Sequence, residues 1–478
     1  MLIFLFSLYC SFHGIGQEAS SKIDSIDLRA FVDTLSSSQF EGRGVDNDGQ
    51  IKTQEFIVDK FKALRLKPFF GDGFLEKFFL HQTDRGKLYV ETHNHRLLQN
   101  LDQMVYEGAI HHNKTMEREV VFGGYGTEKE LNRIAVENRF VMILSRNQED
   151  EFFIKKRLEE RDASGLVVFY KDDKSFEAIQ LRLHDFYAQK KYEIVERHAN
   201  TNALFPQLAE TVNAFPAICS IKLSGEEVKN VMGLSKSKLV SLASKGKNHH
   251  VPPTVMTIHF EQVEKTIETA NVIGFVKGEK DTSIVVSAHY DHVGREGNQF
   301  FPGADDNASG VAALLELAEE FAQYKHLKYS MIFMATTAEE GGLLGSLYHT
   351  EQPDFDPRKI VCNVNIDMIS RCDDSHDDCA YLYCIGNDQS EMLDSLVRKA
   401  DSRFQACSFD YSGNDSDIFY RTDGYNFKKK GVPSILFFAG FHDDYHKPTD
   451  TIEKIDFDLL ESRTKLICEV IKLIQREL

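Results

Sequence analysis

Tryptophan is absent from this 478-residue chain, although 36 phenylalanines are there to fill a core. No segment approaches the run of about 20 unbroken apolar residues that a bilayer-spanning helix needs, so no transmembrane helix is expected. Positive charge is in deficit, with 56 Lys and Arg against 74 Asp and Glu and a formal net charge of -18. That balance argues against nucleic acid or an anionic membrane as partner, since both demand basic patches. There is no internal repeat and no low-complexity tract. None of the eight cysteines has the paired spacing of a structural zinc site. What remains is a composition 42% hydrophobic and 27% charged, that of a globular protein. Its length predicts two domains.

Five short runs in the second half carry the chemistry: SAHYDHVG (287–294), GADDNASG (303–310), TTAEEGGLLGS (336–346), NVNIDMIS (363–370) and DDYHKPTDT (443–451). Together they offer His289, Asp306, Glu340, Asp367 and His446, two imidazoles and three carboxylates. Zinc takes both donor types, and a catalytic zinc keeps one position open. Two zincs about 3.5–4 Å apart need one bridging carboxylate and terminal ligands on each side. The same donors also accept cobalt or manganese. Glu339 is left over beside the metals, where a free carboxylate can take a proton from an attacking water.

The local patterns agree. SIVVSA (283–288), YSMIFMATT (329–337), IVCNVNI (360–366) and VPSILFFAG (432–440) read as buried strands that deliver these residues from their C-terminal ends. Open α/β sheets bind ligands in the crevice outside those ends. Val311, Leu314, Leu315, Ala318 and Phe321 mark one helix stripe after Asp306, with Asn307 or Ser309 as its cap. Residues 456–478 read as a closing amphipathic helix. The fold class is α/β: a mixed, mostly parallel sheet flanked by helices, with a smaller inserted α/β or β-rich domain.

In this order the motifs resemble the di-zinc exopeptidases that include bacterial leucyl aminopeptidases, aminopeptidase Y and glutamate carboxypeptidase II. The resemblance covers about 270–478 closely and the start of the mature chain more loosely. It implies two zinc ions per chain, with His289 and Asp367 the terminal ligands of one, Glu340 and His446 those of the other, and Asp306 the bridge. Asp305 is the alternative bridge if the turn is shifted by one residue, and the family register favours Asp306. The resemblance further implies Glu339 as general base, Asp291 as the residue that orients the first imidazole, and Tyr445 as a group aimed at the tetrahedral intermediate. A packing role for Tyr445 stands beside that one. Where relatives often read Ser-Asp-His, this chain reads Thr422-Asp423-Gly424, which leaves specificity open and the zinc chemistry untouched. His292, His326, His349 and His442 are left as surface residues or as supports behind the ligands.

Residues 1–17 read as a secretory signal with cleavage near Gly16–Gln17, and Ser7-Leu8-Tyr9 before Cys10 matches a lipobox poorly. Residues 18–85, with two helix patterns around FEGRG, resemble the N-terminal part of the catalytic domain. Residues 86–262, with strand-like runs at 120–126, 139–146, 164–170 and 215–233, resemble the inserted protease-associated domain of the family, and an unrelated α/β lid is the plainer reading. Residues 173–205 look helix-prone, and residues 263–478 form the catalytic domain. Cys372, Cys379 and Cys384 lie close enough in an acidic loop for a disulfide.

The reading is a secreted or periplasmic zinc exopeptidase, an aminopeptidase that removes N-terminal residues from peptide substrates by metal-activated water. The inserted domain is expected to restrict access to short peptides. A carboxypeptidase or dipeptidase on the same fold is the first rival, with Arg295, Arg371 or Arg421 available to hold a carboxylate. A one-zinc glutaminyl cyclase and a non-catalytic, receptor-like binding protein are the others.

Overall fold

Continuous apolar runs become the central strands of the protein, because a strand covered on both faces has no polar side to alternate. A computed structural model of the chain describes residues 22–71, 73–83, 87–92, 95–98, 103–107, 114–172, 174, 176, 191–195, 219–261, 264–296 and 299–478. The expected signal segment and most of the helix-prone 173–205 lie outside the described residues. The chain forms two compact units: residues up to Phe78 with Thr269–Leu478, and the intervening Phe79–Glu268. These junctions fall inside two strands, where the sequence reading had set them at 86 and 262.

The main sheet of the first unit includes β1 (Leu75–Thr83), β2 (Glu264–Val276), β3 (Ser283–His289), β4 (Ser330–Thr336), β5 (Ile360–Asp367), β6 (Tyr381–Ile385), β7 (Ser408–Asp410) and β8 (Ser434–Phe438). They follow the order β7-β6-β8-β5-β3-β4-β2-β1. Strands β8, β5, β3 and β4 run parallel, β6 and β2 pair antiparallel to this block, and β7 lies parallel to β6. All four strands that carry the motifs therefore end on the same side.

Side chains alternate across the sheet. Ile284, Val286 and Ala288 join Met331, Phe333 and Ala335 in the main core, whereas Val285, Ile332 and Met334 face the opposite layer with Phe427 and Val432. The main core is capped by α1 (Ser25–Leu35), α2 (Asp48–Ala63), α3 (Gly310–Ala322), α4 (Glu391–Arg403) and α5 (Phe457–Glu477). Helix α3 is buried along nearly all its length, so its polar residues are few. Ser309 holds the N-cap position of α3 without a side-chain cap bond, and Asn307 Oδ1 accepts from the Gly310 N–H at 3.0 Å instead.

The second unit is built on an eight-stranded sheet ordered 95–98, 87–92, 254–261, 114–122, 140–145, 165–170, 219–223, 104–107. Its middle strands 114–122, 140–145, 165–170 and 219–223 run parallel. Phe140, Met142 and Leu144 pack toward helices Val228–Met232 and Lys236–Ser244, and Val141 and Ile143 pack toward Gln148–Glu159. Of the three clustered cysteines, Cys372 and Cys379 form the disulfide and Cys384 is buried in its reduced form.

One buried carboxyl on α3 has a measurable consequence. Glu316 is 3% exposed, and its Oε1 has no hydrogen-bond partner. Burial, then Asp27 and Glu319, push its carboxyl up to about 8 from 4.5. Its folded-state value is raised, so folding is favoured below about pH 4.5 and that contribution is lost as pH climbs to about 8. Glu316→Gln is expected to remove this loss. In denaturant unfolding at pH 8.5 the variant should be more stable than the parent by roughly 1–3 kcal/mol, and at pH 4.5 nearly equal to it. Equal stability at both pH values would refute the assignment.

Candidate metal centre

The parallel strands bring the motif residues to one place. His289, at the end of β3, points Nε2 to within 3.2 Å of Asp367 Oδ1, at the end of β5, and 3.5 Å of Asp306 Oδ1. The other oxygen of Asp306 faces away: Oδ2 lies 3.2 Å from His446 Nε2 and 3.5 Å from His292 Nδ1. Glu340 completes this side, with Oε2 at 2.9 Å from His446 Nε2 and Oε1 at 2.9 Å from His292 Nδ1. The result is two donor groups, His289–Asp306–Asp367 and His292–Asp306–Glu340–His446, that share the Asp306 carboxylate.

The spacing fits zinc. Two donors each held about 2.0–2.1 Å from one tetrahedral zinc are about 3.3 Å apart, and the contacts above span 2.9 to 3.5 Å. The charge fits as well. Asp291, Asp306, Glu339, Glu340 and Asp367 gather around three imidazoles in a largely buried space, a concentration of negative charge that cations must offset. Burial, then Asp306 and Glu340, raise Asp367 against the pull of His289. At Glu340 burial pushes upward, but His446 and His292 outweigh it and hold the carboxyl well below its ordinary value. Glu339 shifts the other way: burial, with Asp367 and Glu340, raises it well above the usual carboxylate range.

The structure separates the two adjacent aspartates. Asp305 turns from both donor groups; its Oδ1 accepts from the Ser370 N–H at 2.8 Å and its Oδ2 faces His442 Nε2 at 3.2 Å. Asp291 meets the His289 ring through its backbone rather than its carboxylate. Its carboxylate lies 3.9 Å from His289 Nδ1, which meets the Asp291 carbonyl at 3.1 Å instead. The carboxylate accepts from the Glu339 and Glu340 N–H groups, at 3.1 and 3.3 Å, and so fixes the turn that presents both glutamates. Tyr445 stacks on the His446 ring at 3.8 Å between centroids. Asp423 is buried and accepts from the Thr336 hydroxyl.

The backbone is bent sharply where it delivers these groups. Ala338, Met368 and His446, at φ 53°, 47° and 54°, are left-handed without being glycine. Each stands at or beside a motif residue, and strain of this kind gathers at functional sites. Gly303 has φ 55°, and a Cβ there would come within 2.5 Å of the His292 ring and 2.1 Å of the Asp306 carbonyl.

Sequence reasoning gave no specific role to two residues at the centre. His292 is 2% exposed and faces Glu340 and Asp306, so it is no surface residue. Arg43, from FEGRG, is fully buried. Its five N–H groups are all used on carbonyls: Tyr290 at 2.9 Å, Leu35 at 2.8 Å, Pro302 at 2.7 Å, Gly303 at 2.8 Å and Asp306 at 3.1 Å. It ties the loop after β3 to the loop before α3. Asp450 supports the same loop by accepting from the Asp305 and Asp306 N–H groups. Among the other histidines, His326 is exposed, His442 backs Asp305, and His349 is a core residue bonded to Glu76 at 3.0 Å.

Imidazoles and carboxylates converge beyond the parallel strand ends of this doubly wound sheet in two groups that could each hold a metal ion. Residues 271–471 match peptidase family M28. It is 30% identical to aminopeptidase YwaD of Bacillus subtilis over 210 residues, covering 41% of this chain and 43% of that protein. To the probable lipoprotein aminopeptidase LpqL of Mycobacterium tuberculosis it is 28% identical over 232 residues, covering 42% and 44%. The chain spans less than half the length of these curated relatives. Its fold is similar to that of BSAP, a zinc aminopeptidase from Bacillus subtilis, with a TM-score of 0.57 at 18% identity over 96% of this chain and 97% of that one.

Arg43→Lys should expose the dependence of the centre on its clamp. One ammonium cannot replace five N–H donors, and stranded buried carbonyls cost about 1–3 kcal/mol each. Denaturant unfolding should show a loss of roughly 3 kcal/mol or more, and chelator competition a zinc affinity lowered about 10–100-fold. A variant equal to the parent in both would show that the loops hold themselves.

Proposed function

We propose that this chain is a secreted zinc exopeptidase that removes N-terminal residues from peptides, using two zinc ions per chain. The observation that carries this reading is the sharing of Asp306 between two donor groups with Glu339 beside them. In this reading His289 and Asp367 would hold one ion, Glu340 and His446 the other, and Asp306 would serve both. When bound, the ions supply Lewis-acid polarisation of the scissile carbonyl and of the attacking water. Glu339 takes the proton of that water on its carboxylate and returns one to the leaving amine. Burial and its carboxylate neighbours raise its affinity for a proton, and dications in the centre would favour its ionised form. Tyr445 supports the His446 ring by stacking. The relatives' names as aminopeptidases favour the N-terminal reading. Arg371, one of the arginines available to hold a C-terminal carboxylate, is already paired with Asp444 at 2.7 Å.

A panel of free and N-acetylated aminoacyl amides and short peptides tests the assignment, with zinc present and after chelation. Metal-dependent release from free N-termini alone is expected, and cleavage of blocked peptides from the C-terminal end would move the activity to carboxypeptidase. Glu339→Gln should lower kcat about 10²–10⁴-fold while zinc content stays unchanged. Loss of zinc in that variant would return Glu339 to the ligand set.

Export is part of the proposal. The apolar N-terminus and a disulfide between Cys372 and Cys379 suit an oxidising compartment, and no helix among the described residues is long and apolar enough to cross a membrane. The mass of the native protein should match a chain beginning near Gln17; an intact Met1 would argue against export.

A further inference from the structure

We propose that a cavity at the opposite edge of the catalytic sheet from the metal centre binds a free amino acid with an aromatic side chain. The cavity has a volume of about 220 Å³. It opens at the N-terminal ends of β3, β4 and β5, where Ser283, Ser330 and Ile360 line it. The donor groups stand at the other ends of these strands, and seven residues of β3 or β4 put about 20 Å between the two places. The sites are therefore separate. Pockets for drug-sized ligands run from about 300 Å³ upward, so this cavity suits a single residue rather than a peptide.

Its walls are aromatic. Phe69, Phe70 and Phe355 line it together with His349, whose ring lies 6.1 Å from Phe69 and 5.6 Å from Phe355 between centroids. A further ring packed edge-to-face on such walls gains more than its burial alone. The walls are set before a ligand arrives. His349 and Glu76, each 6% exposed, meet at 3.0 Å, and Asn271 Nδ2 donates to Glu76 at 2.7 Å. Phe69 is 39% exposed, an apolar ring that an occupant of the cavity covers. The rim carries both signs of charge. Lys277 and Lys359 share Asp281, at 3.9 and 3.1 Å, and exposed pairs of this kind are held weakly. Asp356 is taken by Arg358 at 2.8 Å, whereas Asp354 has no ion pair among the described residues. The lysines meet a carboxylate and Asp354 meets an ammonium, so a zwitterion uses both signs. A ligand of one charge leaves half of this rim unmatched.

The test is calorimetric titration of the full chain with L-phenylalanine, 3-phenylpropionate and 2-phenylethylamine, before and after chelation. Chelation removes any binding that needs a metal. L-phenylalanine is expected to bind in both states with a Kd in the millimolar range or below. Each analogue lacks one charge and should bind about tenfold more weakly. Lys277→Glu combined with Lys359→Glu, two exposed changes far from the donor groups, should weaken L-phenylalanine about tenfold and leave denaturant unfolding nearly unchanged. Binding that vanishes on chelation, or that the double variant leaves as it was, would place the ligand elsewhere and overturn the proposal. Equal binding of either analogue would overturn the zwitterion, and no binding up to about 10 mM would overturn the site. These outcomes leave the peptidase reading untouched, because the cavity shares no residue with the two donor groups.

Discussion

Five carboxylates converge where four parallel strands end, and the rest of the catalytic unit is arranged around keeping them there. Asp291, Asp306 and Asp367 are buried, with Glu339 and Glu340 beside them. Gathering so much like charge away from water is costly unless cations and hydrogen bonds offset it. Three imidazoles and the Arg43 guanidinium supply part of that offset, and the donor spacing suits zinc for the remainder. The opposed behaviour of the neighbours Glu339 and Glu340 follows from this. Glu340 faces two imidazoles and is held ionised, whereas Glu339 lies among carboxylates and is driven toward its neutral form. One turn thus presents a ligand-like group and a base-like group side by side.

The loops are held by backbone contacts rather than by side chains that meet the donors. Arg43 bonds to five carbonyls, Asp450 takes two N–H groups before α3, and Asp291 takes the two N–H groups of the glutamate turn. Backbone groups are fixed by the fold, so such contacts transmit the rigidity of the sheet to the ends of loops that are themselves bent into left-handed conformations. Precision of this kind matters to catalysis, because groups must be held near their working geometry before substrate arrives.

Asp306 illustrates how both layers meet in one residue. Its two oxygens face the two donor groups, its N–H is taken by Asp450, and its carbonyl is taken by Arg43. Asp305, one residue earlier, is spent on Ser370 and His442 instead. The pair looks equivalent in sequence, and only the path of the turn distinguishes them.

Much of this was legible in the residues. Apolar runs that end in His289, Asp367 and the Glu339–Glu340 pair specify buried strands and put polar groups at their ends, because period and burial are local properties of sequence. The stripe of α3 and the amphipathic pattern of α5 were readable for the same reason. The partners of Arg43 were not, since they are carbonyl oxygens, which every residue carries and no motif marks. Nor was the role of the Asp291 carboxylate, which depends on a turn 48 residues away, or the inward face of His292, which looks like any histidine three residues from another. Sequence by itself determined which donors are available and which strands carry them, because those depend on residue type and spacing. Tertiary structure alone decided which nitrogen faces which oxygen, because that depends on how separate strand ends are brought within a few ångströms of each other.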